Sequence, residues 1–129
     1  MIAYVDTSAV VKLVIEEPES EQLATYLDKL ITDDVSLVSS ILLETELRRL
    51  AVRHNLSQAL VWEVLQRFDL TEPDRAMFVE AGLLPGPHLR TLDALHIATA
   101  VRAGADTIVG YDARLTEAAH SLGISVTTP

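Results

Sequence analysis

Cysteine is absent from this chain of 129 residues, and that one absence excludes disulfide staples, thiolate-bound zinc and a cysteine nucleophile. Any metal ion has to be held by oxygen or imidazole. Positive charge is scarce too. Ten Lys and Arg stand against nineteen Asp and Glu, for a formal net charge of −9. Proteins that hold nucleic acid across a broad basic surface draw most of their affinity from phosphate neutralisation, so that class is excluded. Two readings survive: nucleic acid engaged locally through a metal and a few arginines, or an acidic surface facing a basic partner protein. Long apolar runs are also missing, since none approaches the roughly 18 to 20 uninterrupted residues of a membrane span. The amino terminus reads Met-Ile-Ala-Tyr-Val-Asp, with no basic region followed by an apolar core. A cytoplasmic protein with no membrane contact is expected. No G-x-S-x-G elbow is present, so no serine nucleophile of that kind is implied.

What the chain does have is apolar content, 49% of its residues, enough to bury a real core in a single domain spanning residues 1–129. Ile2 to Val5 reads as a strand closing on Asp6-Thr7-Ser8, followed by helical spacing at Ala9, Val10, Leu13 and Val14. Leu23 to Ile31 resumes a helical pattern that ends near Asp33-Asp34, and Val35 to Val38 reads as a second strand. Ser39 or Ser40 can cap a helix running through Leu47 to His54-Asn55, and Ser57 can cap another through Leu65. Phe68 to Leu70 is a weak third strand. Pro73 suits the first turn of a helix from Asp74 to about Leu83, and Pro85-Gly86-Pro87 is a surface loop. Thr91 to Ala103 is a helix stopped by Gly104, Thr107 to Val109 a strand, Ala113 to Leu122 a helix stopped by Gly123, and Ile124 to Val126 a last strand. Strands alternating with helices predict an α/β fold, a three-layer α/β/α sandwich around a mostly parallel sheet of about five strands.

Four acids stand where such a fold places its working edge, outside the carboxyl ends of the strands. Asp6 directly follows the first strand and Asp112 lies just beyond Val109, while Glu46 and Asp93 lie on helices whose amino-terminal halves can point to the same edge. Each has a purely structural alternative. Asp6 and Asp112 can cap the helices they precede, and Asp93 sits where a helix dipole favours negative charge by about 0.3 to 1 kcal/mol. Glu44 and Glu46 are about 200° apart around their helix, and periodicity does not choose between them. His96, one turn after Asp93, can share its face and orient it, or act as a structural hydrogen-bonder. Taken together, the four carboxylates would form a nest that only a divalent cation makes tolerable. Ser8 stands where a haloacid-dehalogenase phosphatase needs a second Asp. A phosphoacceptor receiver would want a Lys after its last strand, whereas Lys12 and Lys29 are the only lysines.

Tyr4-Val5-Asp6-Thr7-Ser8-Ala9, then Ser40 with Glu46-Leu47, then Leu92-Asp93-Ala94-Leu95-His96-Ile97-Ala98, then Tyr111-Asp112-Ala113-Arg114-Leu115 resemble the PIN-domain ribonucleases, specifically the VapC-type toxins of bacterial toxin–antitoxin pairs. The resemblance runs from end to end, including the closing Gly-Ile-Ser-Val and Pro129. It implies Asp6 and Asp93 as principal ligands of Mg²⁺ or Mn²⁺, with Glu46, chosen over Glu44, and Asp112 completing a catalytic acidic pocket. It implies a metal-dependent endoribonuclease neutralised by a cognate VapB-type antitoxin, and a homodimer is expected. Such a hard cation polarises a scissile phosphate and lowers the pKa of bound water, so hydrolysis needs no protein nucleophile. Arg114, Arg90, Lys12 and Arg48 or Arg49 are candidate RNA phosphate contacts. Members of the family often carry Ser or Thr two residues before the last Asp, where this chain has Gly110. A module of the same fold that binds protein or RNA without catalysis is the alternative function.

Overall fold

The computed structural model describes residues Met1–Pro129. Five parallel strands, β1 (Ile2–Val5), β2 (Ser36–Ser40), β3 (Asp69–Thr71), β4 (Thr107–Val109) and β5 (Val126–Thr127), form one sheet in the order β3-β2-β1-β4-β5. Seven helices surround it: α1 (Thr7–Val10), continued by a 3₁₀ turn over Val11–Leu13, α2 (Ser20–Thr32), α3 (Leu42–His54), α4 (Gln58–Leu65), α5 (Arg75–Gly82), α6 (Thr91–Arg102) and α7 (Ala113–Ser121). None of them is long and apolar enough to cross a membrane.

The pleat of β1 explains the three layers, because successive side chains point to opposite faces. Ala3 and Val5 join the larger core, packed with Leu23, Leu27, Leu43, Leu47 and Val61 from α2, α3 and α4. Tyr4, between them, enters the other core with Ile97 of α6 and Leu115 and Ala119 of α7. Both faces of the strand are therefore covered, which is why its sequence is apolar throughout rather than alternating.

The strand order reverses at β1, with β2 and β3 to one side and β4 and β5 to the other. The Asp6 amide extends the ladder by one bond, donating to the Val109 carbonyl at 2.9 Å. The chain segments leaving β1 and β4 are thus neighbours at one edge, the switch point of an open α/β sheet.

Three strands begin later than the sequence pattern predicts. Asp34 (φ 59°) and Gly123 (φ 77°) adopt the left-handed conformation that ends α2 and α7. The next residue in each case, Val35 or Ile124, then donates its amide back to Leu30 or Ala119 at 2.9 Å, the closing bond of a Schellman cap. Those apolar residues belong to helix ends, not to strands. Phe68 likewise closes a turn onto Leu65 and is buried in the larger core. Helix starts are read more accurately. Ser57 caps α4 by accepting from Ala59 N at 3.1 Å, and Ser40 Oγ accepts from Leu42 N at 3.1 Å. Pro73 is not in the first turn of α5: Asp74 is the cap, accepting from Met77 N at 2.9 Å, and Pro73 lies outside it.

Candidate active site

Asp6 is almost fully buried, at 4% exposure. Its Oδ2 is committed locally, accepting from Ser8 N at 3.1 Å and from Ser8 Oγ at 2.7 Å. Its Oδ1 faces the other way, 3.9 Å from His96 Nδ1. Capping α1 therefore uses one oxygen and leaves its twin without a hydrogen bond. Asp6 lies beneath the surface and is not among the residues lining the depression that Glu46, Asp93 and Asp112 share. Ser8 Oγ in turn accepts from Tyr111 N at 2.9 Å, tying the segment after β4 to the one after β1. A Cβ at Gly110 would stand 3.4 Å from Asp6 Cβ and from Ser8 Oγ, a close contact at the edge of the ordinary van der Waals range. The hydroxyl beside Asp6 is supplied by Ser8.

Asp112 caps α7 with Oδ1, which accepts from Arg114 N at 2.9 Å and Leu115 N at 3.0 Å. Asp93, in the first turn of α6, is half-buried and makes no hydrogen bond. Its carboxyl is pushed above the ordinary range, first by burial and then by the negative charges of Asp112 and Asp6, with His96 and Arg90 opposing. Burial and neighbouring carboxylates thus act together against its charged form.

Glu46 is held from two other elements. Its Oε1 accepts from Thr7 Oγ1 at 2.9 Å and from His96 Nε2 at 2.7 Å. The 3.3 Å separation of Thr7 Oγ1 and His96 Nε2 follows from two donors converging on one acceptor. Glu44, the other residue left open by periodicity, pairs with Arg48 at 3.2 Å instead. Glu46, Asp93 and Asp112 line one open depression of about 350 Å³ together with Arg90, Thr91, Leu92 and Arg114. Larger hollows exist: one of about 510 Å³ is lined by Glu16, Glu21 and Glu63, but its cations Lys12 and Arg67 are already ion-paired, and one of about 670 Å³ beside Tyr26 and Lys29 has Glu21 as its acidic side chain.

His96 does not orient Asp93. It is 2% exposed and spans the second core, with Nδ1 2.6 Å from the Tyr4 hydroxyl and Nε2 on Glu46. Burial lowers its pKa, but the hydrogen bond to Glu46 and the charges of Asp6, Glu46 and Asp93 outweigh this and raise it. Burial, followed by the Asp6 charge, drives the Tyr4 hydroxyl far above its ordinary value, so Tyr4 stays protonated. Sequence reasoning missed Tyr4, Thr7 and Ser8 as parts of this arrangement. The available signal was a lone hydroxyl-bearing residue inside the apolar run of β1.

Among the cations, Arg90 and Arg114 line the depression with no carboxylate partner within 4.0 Å. Lys12 does not belong with them. Its ammonium is held by Glu17 and Glu19, each at 3.1 Å, and lies 4.6 Å above the centroid of the Tyr111 ring. Arg48 is engaged with Glu44 and Gln58, and Arg49 lies outside the lining of the depression.

No three of the His, Asp and Glu side chains stand close enough together to form a ready metal cage. The donor set nevertheless fits a hard divalent cation: it is all oxygen, no Lys or Arg stands within 4.0 Å of any of the four acids, and Asp93 is disfavoured as an anion by burial and by the charges of Asp112 and Asp6.

A helix-flanked parallel sheet with acids at its switch point defines a class that comparison with known proteins identifies. The PIN domain model matches residues 3–121. Ribonuclease VapC35 of Mycobacterium tuberculosis (strain CDC 1551 / Oshkosh) is 42% identical over 132 residues, covering 98% of this chain and 96% of its own. Two crystal structures share the fold at a TM-score of 0.74 and 16% identity. VapBC2 from Rickettsia felis, bound to a DNA fragment from its promoter, covers 98% of both chains. Mycobacterium tuberculosis VapC20, a sarcin-ricin-loop-cleaving toxin, covers 98% of this chain and 99% of its own. The chain belongs to the PIN-domain family, in the branch of the VapC ribonucleases.

Proposed function

We propose that this chain is the endoribonuclease toxin of a toxin–antitoxin pair, hydrolysing RNA phosphodiester bonds with a divalent cation, Mg²⁺ or Mn²⁺, held by Asp6 and Asp93. Glu46 and Asp112 complete the acidic pocket, and residues 1–129 act as one unit. When bound, the cation supplies Lewis acidity toward the scissile phosphate and a lower pKa for the attacking water. The remaining work falls to this chain's own residues. Asp6 Oδ1 and both oxygens of Asp93 are free to ligate, because Ser8 engages only Asp6 Oδ2 and no Lys or Arg stands within 4.0 Å of either acid. Glu46 Oε1 is occupied by Thr7 and His96, so Oε2 is the atom that accepts a proton from the attacking water. Arg90 and Arg114 flank the acids and take the phosphates on either side of the scissile bond. Attack at phosphorus breaks the opposite P–O bond and leaves one phosphate end and one hydroxyl end.

The observation that carries this reading is the single depression lined by three carboxylates and two unpaired arginines. The acidic surface elsewhere suits a basic antitoxin of the VapB type, and a homodimer is part of the proposal. Purified protein incubated with total RNA, with Mn²⁺ or with chelator, tests it by mapping of new ends. New ends are expected only with metal, and none from Asp93→Asn. Equal cleavage in chelator, or by Asp93→Asn, would contradict the metal-dependent reading.

A further inference from the structure

Of the four acids, Glu46 has the longest and most mobile side chain, and it alone is fixed entirely by side chains of other elements. Asp6 and Asp112 are anchored by backbone amides within three residues of themselves, and Asp93 is one χ shorter than Glu46. A glutamate in a half-open pocket would otherwise sample several rotamers, since it carries up to about 1.5–2 kcal/mol of side-chain conformational entropy. What holds it is a chain of side chains that crosses the molecule. The Tyr4 hydroxyl from β1 meets His96 Nδ1 at 2.6 Å, His96 Nε2 from α6 meets Glu46 Oε1 at 2.7 Å, and Thr7 Oγ1 from α1 meets the same oxygen at 2.9 Å. The Tyr4 and His96 rings also pack edge-to-face, with centroids 5.9 Å apart and an interplanar angle of 65°.

We infer that His96 is a positioning residue of the site: braced by Tyr4, it pins Glu46 Oε1 so that Oε2 is presented to the water beside the scissile phosphate. The inference rests on the ribonuclease reading above. An ionised carboxylate only accepts hydrogen bonds, so His96 Nε2 carries a hydrogen toward Glu46. Nδ1 is thereby the nitrogen left to Tyr4, and the ring cannot flip without breaking both contacts. The same helix carries Asp93 one turn earlier, so the brace also sets the rotation of α6 against β1 and α3. Outer hydrogen-bond partners of this kind are worth about 10- to 100-fold in metal affinity or activity.

Two amides separate this role from mere core filling. In His96→Gln the amide nitrogen falls near the place of Nε2 and can still reach Glu46, whereas in His96→Asn it falls near Nδ1 and can reach only Tyr4. With an RNA that the wild type cleaves in Mn²⁺, His96→Asn is expected to lose at least 10-fold in kcat with KM changed less than about threefold, and His96→Gln to recover most of that loss. In a Glu46→Gln background, adding His96→Asn is expected to lower kcat no further, because the carboxylate oxygen that His96 serves to present is already gone. An NMR readout is independent of turnover: a protected imidazole N–H resonance of His96 is expected in the metal-free wild type and is expected to shift in Glu46→Gln. Equal activity of His96→Asn and His96→Gln, additive losses with Glu46→Gln, or no such resonance would each overturn the positioning role while leaving the nuclease reading intact. A wild type that cleaves no RNA overturns both.

Discussion

Single carboxylates in this protein commit one oxygen to a helix cap and leave the other open. Asp6 Oδ2 closes the first turn of α1 while Oδ1 faces inward, and Asp112 Oδ1 takes two amides of α7. From the sequence, capping and ligation were competing explanations of these residues. The structure makes them compatible, which a one-dimensional pattern cannot show because it does not distinguish the two oxygens. The partner of His96 was illegible for a related reason. Helical spacing pairs it with Asp93, yet its ring is engaged by Tyr4 and Glu46, contacts separated by 92 and 50 residues. Asp93 offers a test at this scale. Its folded-state pKa is raised, so it contributes stability while protonated, fully below the unfolded value of about 3.9, and that contribution is lost as pH rises through the folded value. In chelator near neutral pH, Asp93→Asn is therefore expected to melt at the same temperature as the wild type or higher. A clear drop in Tm would mean that the charge serves the helix dipole instead.

Among the elements, helix starts are better legible than strand starts. Ser57 and Asp112 announce α4 and α7 because a side-chain oxygen followed by an apolar period is a local signal. Val35 and Ile124 mislead because a β-branched residue after a left-handed turn looks like strand, although its amide is returning to the helix. Where β2 and β5 begin is decided by that non-periodic bond. Asp112 separates cap from site by experiment. Asp112→Ala is expected to lose about 1 kcal/mol of stability in denaturant unfolding, and Asp112→Asn only a few tenths, since Asn caps almost as well. Cleavage is expected to fall in both. Full activity in Asp112→Asn would restrict this residue to capping.

The molecule as a whole follows the alternation of strands and helices closely enough that the α/β/α architecture was predictable, and the order β3-β2-β1-β4-β5 then brings Asp6 and the segment before Asp112 together. That α3 and α6 can reach the same edge was an expectation of the fold and not of periodicity, and the loss of Lys12 to Glu17 and Glu19 was visible in neither. Net charge shapes the expected binding. With a charge of −9 and Arg90 and Arg114 as the free cations of the depression, RNA affinity should depend only weakly on salt. Two phosphates on a single strand correspond to a slope of about −1.4 in log K against log salt. A slope several times steeper, measured with a catalytically inactive variant, would point to a broader basic footprint than this surface has.

Asp6 after β1, Glu46 of α3, Asp93 of α6 and Asp112 at the start of α7 are proposed to answer to one cation. Mn²⁺ titration of the metal-free wild type, Asp6→Asn and Asp93→Asn, followed by calorimetry or by the electron spin resonance of free Mn²⁺, tests it most directly. Binding to the folded wild type, weakened about 10-fold or more in each variant, is the predicted result. Equal Mn²⁺ affinity in all three proteins, or none in the wild type at millimolar metal, would contradict it.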